Sequence, residues 1–449
     1  MLERKAYERL LNWKNTEQGA SALLIEGARR VGKSMLAEEF GKREYRSHLI
    51  IDFSKAAPDV KRLFEERRED LNSFFTLLSA YYGKTFYERN TLIIFDEVQL
   101  FPTARETVKH LVADGRYDYI ETGSLISIKR NVENILIPSE EERFELNPFD
   151  FDEFLWALGE RALADLLRET AESLKPLPDA LHRKAMELLR IYLLVGGMPQ
   201  ALNSYLEHHD LMRVDAVKRR ILELYRNDME KYAGKETARV AAIFDNIPAQ
   251  LSTHEKRFKL SSLEKGARGR TYEDAFFWLE DARITSTCFN ATDPHVGLGL
   301  YRDRPSFKCY LADTGLLSSL VFSDRRLQSD QLYKDILFGK LEINGGMLME
   351  NLVAQMLKAS GHSLYFYSRY SKEKADERME IDFLITKEQP KAKVCPLEVK
   401  STKRYATSSL NKFKKKFKSR IGTDYVLHTA NLKIQGDRQY LPLYLAAYL

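Results

Sequence analysis

The sequence predicts an α/β protein, with a doubly wound parallel sheet in the N-terminal part, a helical middle, and a second α/β region at the C-terminal end. Three observations carry this reading. The apolar strand pattern Leu23-Leu24-Ile25-Glu26 runs through a glycine loop into the helical pattern Met35-Leu36-Ala37-Glu38-Glu39-Phe40. Further apolar runs, His48-Leu49-Ile50-Ile51-Asp52-Phe53, Thr91-Leu92-Ile93-Ile94-Phe95-Asp96 and Tyr117-Asp118-Tyr119-Ile120-Glu121-Thr122, alternate with helical spacing, the sequence form of parallel strands buried on both faces. Late in the chain, Met379-Glu380-Ile381-Asp382-Phe383-Leu384-Ile385 and Cys395-Pro396-Leu397-Glu398-Val399-Lys400-Ser401 read as two strands that each set charge among apolar residues.

Bulk properties bound the rest. A chain of 449 residues exceeds one ordinary core, and about three domains is the size expectation. Hydrophobic residues at 44% and charged residues at 30% describe a globular protein, and a net charge of +5 permits a nucleic-acid partner without requiring one. Cys288, Cys309 and Cys395 lack metal or disulfide spacing, which fits buried thiols in a reducing compartment. Met1-Leu2-Glu3-Arg4-Lys5 has no apolar signal region and no apolar run is long enough to span a bilayer, so the expectation is a cytoplasmic protein without a membrane partner.

Taken in order, Ala6–Trp13 has helical apolar spacing and is expected beside the first loop. That loop, Gly27-Ala28-Arg29-Arg30-Val31-Gly32-Lys33-Ser34, has the Walker A spacing in its strand–loop–helix context. Its glycines let successive N–H groups and a helix N-terminus face a phosphate chain. Lys33 is expected to reach the β/γ-phosphates of ATP, and the Ser34 hydroxyl to ligate Mg²⁺. Residues 59–82 read as helical, and the strand at 91–96 ends in the carboxylates Asp96 and Glu97. There Asp96 is suited to hold Mg²⁺ and Glu97 to orient or deprotonate the attacking water. The fourth strand ends in Thr122-Gly123-Ser124; Thr122 or Ser124 could sense the γ-phosphate, and Ser124 is equally suited to cap a helix at Leu125-Ile126-Ser127.

The Walker loop, Phe95-Asp96-Glu97-Val98-Gln99, Glu121-Thr122-Gly123-Ser124, Pro148-Phe149-Asp150-Phe151-Asp152-Glu153-Phe154-Leu155 and Gly196-Gly197-Met198-Pro199 together resemble the bacterial and archaeal AAA-type P-loop ATPases that carry a conserved C-terminal domain of unknown function. The resemblance covers essentially the whole chain. It implies an AAA-type ATPase core over 1–160 and a helical lid over 161–237 that closes on the nucleotide. Gly196-Gly197-Met198-Pro199 is read as a structural break between two helices. Arg143, Arg219, Arg220 and Arg226 are the arginines from which a finger could come, and the sequence places none of them.

Residues 238–335 leave two readings open. A helix, the turn Lys265-Gly266-Ala267-Arg268-Gly269-Arg270, a second helix and two strands follow the order of a winged helix, with Arg268 and Arg270 placed to meet phosphate. A small α/β connector explains the same pattern and is favoured, because few basic residues support DNA contact. Lys308-Cys309-Tyr310-Leu311-Ala312-Asp313-Thr314-Gly315-Leu316 reads as a strand and a helix cap without chemistry.

In segment 336–449, Glu350 is the carboxylate on the buried side of an apolar helix, and Glu398 and Lys400, two apart, share a strand face. Buried charges must pair or bind metal. Glu350, Asp382 and Glu398 are therefore expected to bind Mg²⁺, with Lys400 beside a phosphodiester. This order resembles the restriction-endonuclease-like, PD-(D/E)xK nuclease fold, which implies a metal-dependent nuclease domain. Asn411-Lys412-Phe413-Lys414-Lys415-Lys416-Phe417-Lys418 sets two aromatics on one helical face, an anchored solvated helix whose Lys414, Lys415 and Lys416 could also attract a phosphate backbone. The functional expectation is an ATPase coupled to a nuclease-like domain that acts on DNA or RNA. The alternatives are an ATP switch whose C-terminal domain binds nucleic acid or protein without cleavage, and a homo-oligomeric ATPase that remodels proteins.

Overall fold

The computed structural model describes residues 2–124, 139–253, 257–263, 269–322, 345–370, 373, 377–389, 391–402 and 404–449. They divide into two compact units, 1–147 with 281–283, and 148–280 with 284–449. No described helix is long and apolar enough to cross a membrane.

The first unit is built on five parallel strands, β1 (Ala22–Glu26), β2 (Ser47–Asp52), β3 (Thr91–Asp96), β4 (Asp118–Gly123) and β5 (Glu141–Glu145), in the order β2-β3-β4-β1-β5. The central strands β1, β3 and β4 bury both faces, so their alternate residues enter two cores. Leu23, Ile25, Ile94 and Ile120 pack with Leu10 and Trp13 of α1 (Ala6–Glu17) and Leu36 and Phe40 of α2 (Lys33–Glu44). Leu24, Ile93, Phe95 and Tyr119 pack on the other face under α3 (Pro58–Glu66), α4 (Leu71–Tyr82) and α5 (Pro102–Asp114). The stretch 59–82, read as helical, holds two helices, and Asp70 caps the second, α4, by accepting from Ser73 N.

The second unit begins with helices α6 (Phe151–Ala157), α7 (Arg161–Ser173), α8 (Asp179–Val195), α9 (Pro199–His208), α10 (Leu211–Tyr232), α11 (Thr237–Ser252) and α12 (Gly269–Asp281). Strands β6 (Thr285–Ala291) and β7 (Arg302–Leu311) and helix α13 (Thr314–Val321) follow. Helix α14 (Gly345–Ala359), β8 (Tyr365–Arg369), β9 (Met379–Gln389), β10 (Lys391–Val399), α15 (Ser408–Lys416), β11 (Asp424–His428), β12 (Lys433–Gln435) and β13 (Arg438–Pro442) complete it. Its mixed sheet has eight strands in the order β12-β13-β11-β10-β9-β8-β6-β7.

That order bears on the middle of the chain. The β6–β7 hairpin, read from sequence as part of a winged helix or connector, pairs in parallel through Phe289 and Asn290 with Tyr365 and Phe366 of β8. It therefore extends the C-terminal sheet. Helices expected as a separate lid over 161–237 fall in this same unit. Arg268 and the side chain of Arg270, on which phosphate contact would rest, lie outside the described residues.

Candidate functional site

At the carboxyl end of β1 the chain enters the loop 27–32. A Cβ on Gly27 would lie 2.5 Å from the Leu146 carbonyl oxygen, so the close approach of these backbones excludes a side chain. Gly32 turns the chain at φ 101°, the left-handed region that glycine enters without a Cβ penalty, and α2 starts at the next residue. The N-terminal N–H groups of α2 and the positive end of its dipole thus face the loop.

Lys33 is buried inside this turn, its Nζ donating to the Gly27 and Ala28 carbonyls at 2.9 and 3.0 Å. Burial pushes its ammonium down to about 8, against the opposing pull of Glu97 and Asp96. The Ser34 hydroxyl donates to Asp96 Oδ1 at 2.5 Å, and the Thr122 hydroxyl donates to the same oxygen. The register explains the meeting: β4 lies between β3 and β1, with Phe95 opposite Glu121 and Ile25 opposite Thr122. The polar ends of three strands therefore converge. Glu97 stands at φ 54° and ψ 46° and accepts from Gln99 Nε2 at 2.5 Å. A left-handed non-glycine residue costs about 1–2 kcal/mol, strain of the kind found where a side chain must be aimed.

A second charged cluster lies within the other unit, and its centre is a lysine. Lys308 of β7 is fully buried, its Nζ 3.2 Å from Glu350 Oε1, 3.0 Å from Glu380 Oε1 and 3.8 Å from Asp382 Oδ1. The Tyr310 hydroxyl donates to the same Glu350 oxygen at 2.5 Å. Burial pulls the Lys308 ammonium down, but the surrounding carboxylates more than offset it and hold its pKa well above the usual lysine value. Asp382 Oδ2 accepts from Val399 N at 2.8 Å, and Lys400 pairs with Glu398 at 2.7 Å. The geometry differs from the sequence expectation of a Mg²⁺ held by Glu350, Asp382 and Glu398. Among the described residues no group of three or more His, Cys, Asp or Glu side chains is arranged to hold a metal ion. The physical reason is that a lysine ammonium, Lys308, already lies between Glu350 and Asp382, and Glu398 is paired with Lys400.

The other sequence readings divide. Phe413 is buried in the core beneath α15 with Phe417 packed against it, the anchored-helix arrangement. Lys414 belongs to that anchor, pairing at 2.8 Å with Asp424, a fully buried carboxylate that also takes Arg438 at 2.6 Å. Lys415, Lys416 and Lys418 are exposed. Of the arginines considered as fingers, Arg143 pairs with Glu141 at 3.1 Å, Arg219 with Asp215 at 2.5 Å and Arg226 with Asp245 at 2.8 Å, while Arg220 donates to the Ala216 carbonyl. Ser124 is buried, and the helix it was read to cap lies outside the described residues.

Residues 20–155 match the family described as "AAA domain", a span that contains all five parallel strands, the loop and the Ser34–Asp96–Thr122 contact. Residues 20–155 form an AAA-type P-loop ATPase domain. Beyond the AAA domain, residues 186–328 and 345–446 match two families each described as a domain of unknown function, DUF8612 and DUF4143. No curated protein matches the chain. Among solved structures, the Aeropyrum pernix ORC1 protein in complex with DNA is 13% identical, with 71% of this chain and 92% of that chain covered and a TM-score of 0.29. AMPPCP-bound DnaA from Aquifex aeolicus is 14% identical, with 62% and 88% covered and a TM-score of 0.26. The Signal Transduction ATPase with Numerous Domains protein with a tetratricopeptide repeat sensor from Pyrococcus horikoshii is 13% identical, with 79% and 48% covered and a TM-score of 0.27. This chain thus spans about half of that protein, and at these TM-scores the likenesses carry no argument.

The AAA domain also buries a carboxyl that no spacing rule marks. Glu121, the residue before Thr122, is fully buried, and neither of its carboxylate oxygens has a hydrogen-bond partner among the described residues. Burial, reinforced by the nearby Glu141 carboxylate, holds it protonated well above the usual range, although Arg105 and Arg143 pull the other way. Glu141 is itself locked by two hydrogen bonds from Arg105, each 2.8 Å. Glu121 is therefore a carboxyl of the sheet interior whose ionisation burial opposes.

Proposed function

We propose that this chain is an ATP-driven switch: the AAA domain binds and hydrolyses ATP with Mg²⁺, and the second unit binds nucleic acid without cutting it. The observation that carries the first half is the convergence of Lys33, Ser34, Asp96 and Thr122 at one end of the parallel sheet. The donor set fits the cofactor. Ser34 and Asp96 bring a hydroxyl and a carboxylate within 2.5 Å, hard oxygen ligands of the kind Mg²⁺ takes. Mg²⁺, when bound, offsets the charge of the phosphate oxygens. The loop N–H groups hold the phosphate chain, Lys33 exchanges its carbonyl partners for phosphate oxygens, Thr122 fixes Asp96, and Glu97 takes the proton of the attacking water.

The lowered pKa of Lys33 gives this reading a pH signature. Only the ammonium form pairs with phosphate, so above the nucleotide-free pKa of about 8 binding must take up a proton. The dissociation constant for ATP, measured by fluorescence titration from pH 7 to 10, is expected to stay flat up to about pH 8. Above that it should weaken by up to about tenfold per pH unit. A flat profile to pH 10 would show that Lys33 does not carry the phosphate contact.

The second half of the reading is supported by two observations. Lys308 occupies the acidic centre that a cutting enzyme would reserve for metal, and exposed Lys415, Lys416 and Lys418 cluster at the end of α15. Reversing those three charges, while leaving Lys414 in its pair with Asp424, is expected to weaken DNA binding and to reduce the slope of log K against log salt by about two to three. Filter binding at several salt concentrations, with ATP and with ADP, measures both the slope and the nucleotide effect. An unchanged slope overturns the basic-surface assignment. Mg²⁺-dependent cleavage that disappears in Asp382→Ala and Lys400→Ala would instead establish the nuclease.

A further inference from the structure

We infer that the Lys308 ammonium is a built-in cation that takes the place of a divalent metal among Glu350, Glu380 and Asp382, so that as folded these carboxylates form no metal site. The inference rests on the non-cutting reading of the second unit, and its test reads cation binding rather than cleavage.

The argument starts from charge. Three carboxylate side chains approach one fully buried amine at 3.0, 3.2 and 3.8 Å. Glu350 is as deeply buried as the lysine, whereas Glu380 and Asp382 retain some exposure, at 26% and 19% of their side-chain surface. A buried carboxylate without a counter-ion is costly, so this trio requires a cation. The chain provides it from elsewhere in the sequence. The carboxylates come from α14 and β9, inside the segment 345–446, whereas Lys308 comes from β7, inside the separately matched segment 186–328. The joining of β6 to β8 brings the two segments into one sheet. Alternation along β7 sets Lys308 and Tyr310 on one face, where both reach Glu350. Carboxylate oxygens select hard cations such as Mg²⁺, Mn²⁺ and Ca²⁺, and the Cys288 thiol, opposite Lys308 across the β6–β7 pair, is pushed up by burial and so is a poor competing ligand. The tether makes the centre indifferent to them: a metal could enter only by displacing an ammonium that cannot leave.

The test is Mn²⁺ titration of the full-length, nucleotide-free protein, followed by water-proton relaxation and by thermal unfolding. The native chain is expected to show no Mn²⁺ site that depends on Asp382, so native and Asp382→Asn proteins give superimposable titrations. Lys308→Met keeps the apolar stem and removes the charge. It is expected to gain a site with a dissociation constant on the order of 10⁻⁴ M or tighter, and a rise in Tm with Mn²⁺. That gain should vanish in Lys308→Met with Asp382→Asn, whereas Lys308→Arg should stay metal-blind. If Lys308→Met does not fold alone, Mn²⁺ in the refolding buffer is expected to restore it. A folded Lys308→Met without Mn²⁺ affinity, a failure of Mn²⁺ to rescue an unfolded one, or an Asp382-dependent Mn²⁺ site in the native chain overturns the inference. Native Mn²⁺ binding accompanied by strand cleavage would overturn the non-cutting reading as well. Loss of the inference with DNA binding intact and no cleavage would leave that reading standing.

Discussion

Replacing Glu97 by glutamine is expected to lower ATP turnover by about 10²–10⁴-fold, the range a positioned general base contributes, while ATP still binds. The substitution keeps the shape of the side chain and the left-handed backbone at φ 54°. What it removes is the capacity to accept the proton of water. Ser34, Asp96 and Thr122 keep their contacts, so the nucleotide dissociation constant should move by less than about threefold. Lys33→Ala should behave differently, because it removes the ammonium that both ground state and transition state use; affinity and turnover then fall together. Steady-state ATPase assays beside nucleotide titrations separate the two patterns. Residual turnover in Glu97→Gln above about a tenth of native would move the base to another residue. Glu121 would not be that residue, since it is fully buried and held protonated.

The two charged sites were unequally legible in the sequence, and the reason is range. The Walker loop announces itself because its strand, glycines, lysine and hydroxyl are contiguous, and the backbone geometry they require is local. Asp96 and Thr122 were legible one step further, since parallel strands deliver their carboxyl-end residues to a common edge. Lys308 was not. Its only local mark is a lysine within an otherwise buried run, Ser306-Phe307-Lys308-Cys309-Tyr310-Leu311, and a lone lysine in a strand does not name its partner. Glu350 lies 42 positions away in sequence. The expectation that buried charges must pair or bind metal was physically correct, but the order Glu350, Asp382, Glu398, Lys400 suggested a metal where the fold supplies an amine. Lys414 illustrates the reverse error. Composition groups it with Lys415 and Lys416, whereas burial assigns it to Asp424.

The motif Gly196-Gly197-Met198-Pro199 was read as a structural break, and the packing around it makes a large effect on stability the expected result of Gly197→Ala. The motif joins α8 to α9, and Gly197 touches backbone on one side and a buried carboxylate on the other. A Cβ at Gly197 would lie 2.2 Å from the Phe149 carbonyl oxygen and 2.7 Å from its nitrogen, atoms that cannot swing aside as a side chain would. That same carbonyl accepts from the Tyr192 hydroxyl at 2.6 Å, and the Gly197 N–H donates to Asp313 Oδ2 at 2.6 Å. Asp313 in turn caps α13 through Leu316 N at 2.8 Å, while buried Lys218 donates to the Leu194 and Gly315 carbonyls at 2.5 and 2.9 Å. Segments near 149, 197, 218 and 313 are thus held by one set of buried hydrogen bonds, and displacing Gly197 disturbs the set at its narrowest point. Overpacking costs about 1–3 kcal/mol and each buried polar group left unpaired about 1–3 more, which places the loss for Gly197→Ala at about 3–5 kcal/mol. In a Trp13→Phe background, Trp156 and Trp278 report only on the second unit. The urea midpoint of that signal should fall with its m-value unchanged. A midpoint within error of the parent would mean that the backbone near Phe149 yields to a methyl group at little cost, and the motif would then owe its glycines to something other than packing.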